Sequence, residues 1–557
     1  MTKMKRVLAL VLVIVMAASM LACGSKTTET TKDTTTKTES TDKKNETTTE
    51  TAGEESTEWT WPLEETKEVS IWTWWTNEYF NDPNELKGIQ QIEKNTNVHV
   101  RWAWVSQAEE AEKFGLMMAS GDYPDILRNA QGHYTGGLVQ ACTDGVIIEL
   151  TDLVPQYMPT YQGLREANEK LLKDTTTDDG RIVGLYTIAS KNGEVMGEKV
   201  WDGLCIREDW LNDLGLEKPV TIDDWHTVLT AFKNELGVEA PLLIGATTGY
   251  DVMHNFISAY GILGEFYNDN GTVKFGPLEP GYKEWVELFR QWYAEGLIDQ
   301  NFVSNDASFM GAADYMGTGR AGASANVWGF TADVYLRNGY TDDEDFFLAG
   351  VTTPVLNEGE TPYIGYATSE LTKETLCITS NCKDVELACR YLDYWYTEEA
   401  MFLDSLGILD ESYTDNGDGT YSLTQLMHDK VADGSFPDLS STLNAYTLGT
   451  ADFGLYNWAM FDPLYVGQRT LEAYEPWNQG SFDKMLPPCM TMTEEETIAY
   501  NNLYTAIKTL VSENTVKFIM GTKSMDEYDA FVESLYTYGI EDCIAYKQAA
   551  LDRYNSR

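Results

Sequence analysis

The chain has 557 residues, 40 basic against 88 acidic, for a formal charge of −48, and 12% of its residues are aromatic. So acidic a balance excludes the basic surface that nucleic-acid binding needs and describes a solvated exterior. A folded body of roughly 490 residues exceeds one typical domain, so two lobes are expected. The eight cysteines are scattered through a core-forming chain and exclude a disulfide scaffold. Cys377, Cys382 and Cys389 lack a paired C-x-x-C, and neither metal nor cofactor is expected.

Met1 to Ala22 has the order of a secretion signal: Lys3, Lys5 and Arg6 precede an apolar run from Val7. At about 1.5 Å per residue that run spans roughly 24 Å, short of the roughly 30 Å hydrocarbon core. It ends in Leu21-Ala22-Cys23-Gly24, which resembles a lipobox and implies lipidation of Cys23. Residues from Ser25 to about Glu58 are Thr, Lys, Glu, Ser and Asp with almost nothing apolar. They cannot bury enough surface to offset ordering entropy and read as a tether.

The first folded stretch is Val69 to Leu127. Val69-Ser70-Ile71-Trp72-Thr73-Trp74-Trp75 has the β-branched and aromatic content of a strand, and Leu86, Ile89 and Ile92 recur at helical spacing. Val98 to Val105 alternates as a second strand, a second helix runs from about Gln107 to Ala119, and Ile126-Leu127 opens a third strand. Gly121 suits the helix end and Pro124 prevents its continuation. The order β-α-β-α-β predicts three parallel strands with ligands beyond their carboxyl ends.

This stretch, with its Ser120-Gly121-Asp122-Tyr123-Pro124-Asp125-Ile126 turn, resembles the amino-terminal lobe of bacterial extracellular solute-binding proteins of ABC importers. The closest likeness is to the large carbohydrate-associated lipoproteins of solute-binding family 1. The resemblance implies an α/β, two-lobe periplasmic-binding-protein fold, type II-like, each lobe an open, mostly parallel sheet flanked by helices. It implies a first lobe of 67–190 plus about 345–398, and a second of about 191–344 plus 399–557.

The loop Leu127 to Thr135, placed at the end of the third strand, should line the cleft. Gly145 to Leu153 reads as a further strand and helix start, with Thr151 or Asp152 as cap. Gly184 to Ile188 and Gly203 to Arg207 resemble the region where the chain first crosses between lobes. Ile206 to Leu216 followed by Pro219 to Trp225 carries helix-boundary signals: Gly215 as a C-terminus, Thr221 as a cap with Asp224 three residues on. The pair of segments resembles the opening of the family's second lobe.

Gly317-Thr318-Gly319-Arg320-Ala321-Gly322 has the spacing of a dinucleotide fingerprint, but a helix precedes it and an apolar run follows. Phosphate binding needs strand, glycine loop, then helix, so this is a turn before a strand. That strand, Ala323 to Trp328, resembles the one delivering an aromatic residue to the sugar in maltose-type binding proteins. Asn268 to Gly271 and Asp415 to Gly419 are hairpin turns. The second fails as a calcium loop because glycines stand where oxygen ligands should alternate. Gly350 to Leu356 and Glu374 to Ser380 read as strands and Asp384 to Tyr396 as a helix. The section from Tyr413 to Cys489, with Trp458 and Trp477, is irregular. Phe518 to Tyr554 resembles the family's terminal helices.

The expected chemistry is binding without reaction. A pyranose offers an apolar face and a hydroxyl rim, which aromatic surface and amide, carboxylate or Arg partners recognise. Trp74, Trp75, Gln131, His133, Tyr134, Asn326 and Trp328 supply those types, with Tyr250 after Leu242-Leu243-Ile244-Gly245. The expected protein is a monomer on the extracellular face of the cell membrane, held by its lipid. It would deliver a carbohydrate, most simply an oligosaccharide, to ABC permease subunits by closing its lobes. A secreted glycoside hydrolase with two carboxylates is the rival, and the same fold with a peptide ligand or a sensor role a third reading.

Overall fold

The computed structural model describes residues 59–200, 203–245, 252–305, 309–325, 341–367, 371–437, 439–448, 453–460, 472 and 475–557. Strand β1 (Lys67–Trp74) runs parallel to β2 (Val98–Val105), with Lys67 opposite Val98 and Trp74 opposite Val105. β3 (Ile126–Arg128) lies parallel on the other flank of β1. The helices Lys87–Thr96 and Glu110–Ser120 make the two crossovers, the second ending on Gly121 at φ 70°. The predicted β-α-β-α-β unit is present.

β4 (Leu185–Lys191), with β5 (Glu194–Val195) folded back on it, precedes the first crossing. Beyond the crossing come β6 (Cys205–Arg207), β7 (Ala240–Leu242), the hairpin of β8 (Phe266–Asp269) and β9 (Thr272–Phe275), then β10 (Ala321–Ser324) and β11 (Leu348–Gly350). The chain returns through β12 (Leu371–Ile378), the hairpin of β13 (Tyr413–Asp415) and β14 (Tyr421–Leu423), and β15 (Leu455–Asn457). The two predicted hairpins are these, and the glycine decoy is the turn between the helix Phe309–Gly317 and β10.

Two sheets result, one in each lobe. The first has the order β15-β4-β12-β3-β1-β2, with β5 on β4, and only β12 and β5 run against the rest. The second is β11-β6-β10-β7, with β6 reversed. The fold is therefore the expected pair of open, mostly parallel sheets flanked by helices.

Strand pairing departs from the expected division of the chain at two places. Residues 345–350 were expected in the first lobe, but β11 is held antiparallel to β6 in the second sheet. Residues from 399 were expected in the second, but β15 pairs with β4 in the first sheet. The helix Glu398–Ser405 and Tyr446 lie against the helix Lys87–Thr96, where Gly88 donates its N–H to Tyr446 O at 2.8 Å. A Cβ on Gly88 would collide with that carbonyl, so only glycine permits this approach.

Three local expectations also fail. Gly145 to Leu150 forms no strand, only a single bridge from Ile147 to Thr379. Asp152 stands at the N-terminus of the helix Leu153–Tyr157 without a side-chain cap, and Thr151 does not cap it either: its Oγ1 accepts from Ile182 N at 3.0 Å. Of Gly350 to Leu356, only Gly350 lies in a strand and Val355 in a bridge to Thr221.

The second lobe's core shows why its helices form. Thr221 caps the helix Ile222–Leu236 in a reciprocal box: Asp224 N donates to Thr221 Oγ1 at 3.1 Å and Thr221 N to Asp224 Oδ2 at 2.9 Å. Ile222, Trp225, Val228, Leu229 and Phe232 then recur on one buried face. The helix Pro280–Glu295 buries Tyr282, Trp285, Val286, Phe289 and Trp292 against it. Hydrophobic burial of these rings dominates the stability of this lobe. The terminal helices Glu494–Ile519, Tyr528–Thr537 and Ile540–Asn555 complete the same core.

Candidate functional site

The strand order β3-β1-β2 places a topological switch point between β1 and β3, where crossovers leave in opposite directions and a crevice opens at the carboxyl edge. β1 ends there in Thr73 and Trp74, β3 in Arg128. Arg128 is fully buried, and its guanidinium lies 4.7 Å from the Trp74 ring centre. Its Nη1 donates to Thr73 Oγ1 at 3.3 Å and approaches Trp74 O at 3.5 Å. Trp74 is half-buried. A cation stacked on one face of an indole whose rim meets solvent is a preorganised element for a hydroxyl-rich ligand.

Immediately after β3, Asn129 takes the left-handed conformation at φ 59° and turns the chain into the short helix Ala130–His133. Asn129 Nδ2 donates to the buried Glu110 at 3.2 Å, and His133 Nε2 stands 3.1 Å from the same carboxylate. The His133 ring also lies 5.5 Å from Phe114, so the imidazole is held between an apolar ring and an acid. When protonated it makes an ion pair with Glu110.

The remaining sequence candidates are placed as follows. Trp75 is buried just past β1, edge-on to Trp104 at 5.5 Å. Gln131 is exposed, and its Oε1 accepts from Leu138 N at 2.9 Å, serving the next helix. Tyr134 donates its hydroxyl to Asp144 at 2.7 Å, a bond that first of all pushes the phenol up to about 12. Trp74 and His133 thus gather near the switch point, while Gln131 and Tyr134 are engaged in local bonds. Tyr250, Asn326, Trp328 and Cys23 lie outside the described residues. The described chain reaches Gly245 after β7 and Ala325 after β10, the carboxyl edge of the second sheet.

At the far side of the first sheet, β15 ends in the buried Asn457, whose Oδ1 accepts from Asn192 N at 3.1 Å and Ala459 N at 3.0 Å. Half-buried Trp458 follows, its ring 5.4 Å from Tyr456. Trp477, by contrast, is a core residue that donates its indole N–H to Leu204 O at 2.8 Å. Sequence reading named neither Arg128 nor Asn457 as a site residue. The signal for Arg128 was its place, first polar residue after the apolar Ile126-Leu127, within a loop already assigned to the cleft. A separate cleft of about 350 Å³ follows the open edge of β11, with Glu208, Lys218, Thr352, Glu475 and Gln479 among its walls. Lys218 is paired there with Glu208 at 2.9 Å.

Two α/β lobes with polar groups held at a sheet's carboxyl edge define a two-lobe ligand-binding protein. Residues 78–402, more than half of the chain, match the family model of the bacterial extracellular solute-binding proteins. The chain belongs to that family, which is a class of binding proteins and not of enzymes. It is 26% identical over 516 residues to the fructooligosaccharide ABC transporter substrate-binding protein FusA of Streptococcus pneumoniae serotype 4, covering 89% of this chain and 92% of FusA. FusA solved as an EF-hand mutant with fructo-nystose superposes with a TM-score of 0.62 at 23% identity, over 88% of this chain and all of that one. A solute-binding protein of Bifidobacterium longum infantis associated with an HMO-binding ABC transporter gives a TM-score of 0.71 at 18% identity over 88% and 99%. Alginate-binding protein AlgQ2 without calcium ion gives 0.64 at 21% over 88% and 99%. Among the described residues no helix is long and apolar enough to cross a membrane.

Proposed function

We propose that the protein is an extracellular receptor that captures an oligosaccharide between its lobes and hands it to the permease subunits of an ABC importer. The observation that carries the reading is Arg128 stacked on Trp74 at the switch point of the first sheet. From β1 to β15 the carboxyl edge crosses four inter-strand spacings of about 4.8 Å, roughly 19 Å in all. An edge of that length, with Trp74 and Arg128 at one end and Asn457 and Trp458 at the other, suits an extended chain better than a single small ring. The likeness to FusA over most of both chains supports a carbohydrate ligand. His133 joins this edge, and Trp75, Gln131 and Tyr134 support it; Tyr250, Asn326 and Trp328 belong to the opposing lobe's contribution.

The lobes are assigned from their sheets: 67–195, 371–457 in the first and 205–350, 475–555 in the second. Ligand that touches both edges favours the closed arrangement by its differential affinity, and closure presents a shape to the permease. Cys23 carries the lipid, residues 24–58 tether the body, and the receptor acts as a monomer. It changes no bond in its ligand.

Thermal unfolding of the secreted body, screened against fructooligosaccharides, milk-type and uronic oligosaccharides and short peptides, tests the reading. Ligand at about 100 times its dissociation constant stabilises by roughly 2.7 kcal/mol. A rise in Tm with one sugar class, and that sugar recovered intact, is the expected result. Cleaved sugar would replace the receptor with a hydrolase, and a response to peptides alone would remove the carbohydrate assignment.

A further inference from the structure

Two of the similar folds, an EF-hand mutant and a form without calcium ion, raise the matter of a calcium loop in this chain. Such a loop has twelve residues after a helix, with glycine at position six and oxygen ligands at one, three, five, seven, nine and twelve, the last a bidentate Glu. Among the described helices, Glu169–Asp174 is the one followed at that sixth position by a glycine in the left-handed conformation the sharp turn requires: Gly180, at φ 85°. The loop is therefore Thr175 to Tyr186.

Its donor set does not fit the ion. Positions one, three and five are Thr175, Thr177 and Asp179, and position twelve is Tyr186, so a single carboxylate remains. The oxygens are moreover bonded to guanidinium groups. Arg165, only 3% exposed, donates from Nε to Thr175 Oγ1 at 2.7 Å and from Nη2 to Thr176 Oγ1 at 2.9 Å. Arg181 donates from Nε to Asp179 Oδ2 at 2.8 Å. The carbonyl at position seven, that of Arg181 itself, accepts from Thr177 N at 2.9 Å. The flanking carboxylates are also committed. Asp174 meets Lys170 at 2.7 Å and the Tyr554 hydroxyl at 2.5 Å, while Asp178 meets Arg557 at 2.7 Å and Arg553 at 3.4 Å.

A calcium loop crowds carboxylates whose mutual repulsion the ion offsets; here the repulsion has gone and two fixed cations hold the turn. We propose that this loop takes no calcium, and that the guanidinium groups of Arg165 and Arg181 order it in the ion's place. The consequence is a receptor whose fold is indifferent to calcium.

The test is thermal unfolding and isothermal titration of the intact protein with calcium chloride against EGTA. The expected result is no heat of binding and a Tm that moves by less than about 1 °C, whereas Arg165→Met lowers Tm by about 2 °C or more in either buffer. Arg181→Met, at a more exposed position, gives a smaller fall and serves if the first variant does not fold. A reversible calcium-dependent rise of several degrees in the unaltered protein would overturn the proposal. So would an Arg165→Met or Arg181→Met protein that is unmoved, or one whose loss calcium restores.

Discussion

Two buried arginines end strands in the two sheets, and they differ in what they meet. Arg207 ends β6, the reversed strand, so it stands at the amino edge of its neighbours. It forms a forked ion pair with Asp209, reaches Asp343 at 3.2 Å, and is sandwiched between Trp210 and Phe346 at 4.1 and 4.5 Å. Arg128 ends β3 at the carboxyl edge, against a hydroxyl, a carbonyl and one face of Trp74. Burial of an arginine thus does not by itself mark a site. The edge at which it lies does, because crossovers open a crevice at only one end of such a sheet.

The comparison breaks most visibly at Arg207. Arg207→Met leaves Asp209 without its partner, and a cost of about 3 kcal/mol is expected, since breaking one side of a buried pair strands the other charge. Urea unfolding measures it, and sugar affinity of the folded protein should be unchanged. Arg128→Met should divide the effects the other way. Loss of charged hydrogen bonds worth roughly 1.5–3 kcal/mol predicts about a 10- to 100-fold weaker Kd by titration calorimetry. Equal affinity in that variant would remove Arg128 from the site. Trp74→Ala should cost less, about 0.5–1.5 kcal/mol of ring interaction, a few-fold in Kd.

The smallest effect lies far from both, at the capping box. Hydrogen bonding to Thr221, above all to its backbone N–H, holds the Asp224 carboxyl below the usual carboxylate range. A depressed folded-state pKa gives stability that is complete above the unfolded value, near 4, and is lost as pH falls through the folded value. Asp224→Asn should therefore lower Tm slightly at neutral pH and flatten this part of the acid limb. A Tm profile from pH 7 to 2, set beside that of the unaltered protein, checks it.

Much of the fold was legible because local chemistry and tertiary structure agree. Period-two alternation in β2, the Gly121 and Pro124 stop, the Thr221 box and the two hairpin turns each state their element within a few residues. What escaped is non-local. Nothing inside Leu371 to Ile378 says that it enters between β3 and β4, or inside Leu455 to Asn457 that it borders β4. Aromatic content does not by itself mark ligand surface: Trp225, Trp285, Trp292 and Trp395 are fully buried. A ring reports a need for apolar contact, and most such need is met in the core. Trp72 and Trp74 share one face of β1 by alternation; Trp72 is buried against Phe114, while Trp74 is half-exposed because it stands at the strand's end.

The insertion of β12 bears on how the chain acquires its structure in time. β3 and β4 are separated in the first sheet by a strand that comes some 180 residues after β4 in the chain, roughly a third of its length. Until that segment has emerged, the β1–β3 half and the β4 half have no hydrogen-bonded connection, and each shows an unpaired edge. Pairings so distant in sequence must absorb the entropy of closing a long loop before they return any stability, which makes the final step slow. The second sheet has no such gap: its four strands all lie between residues 205 and 350. The sheet begun second is the one that can finish first.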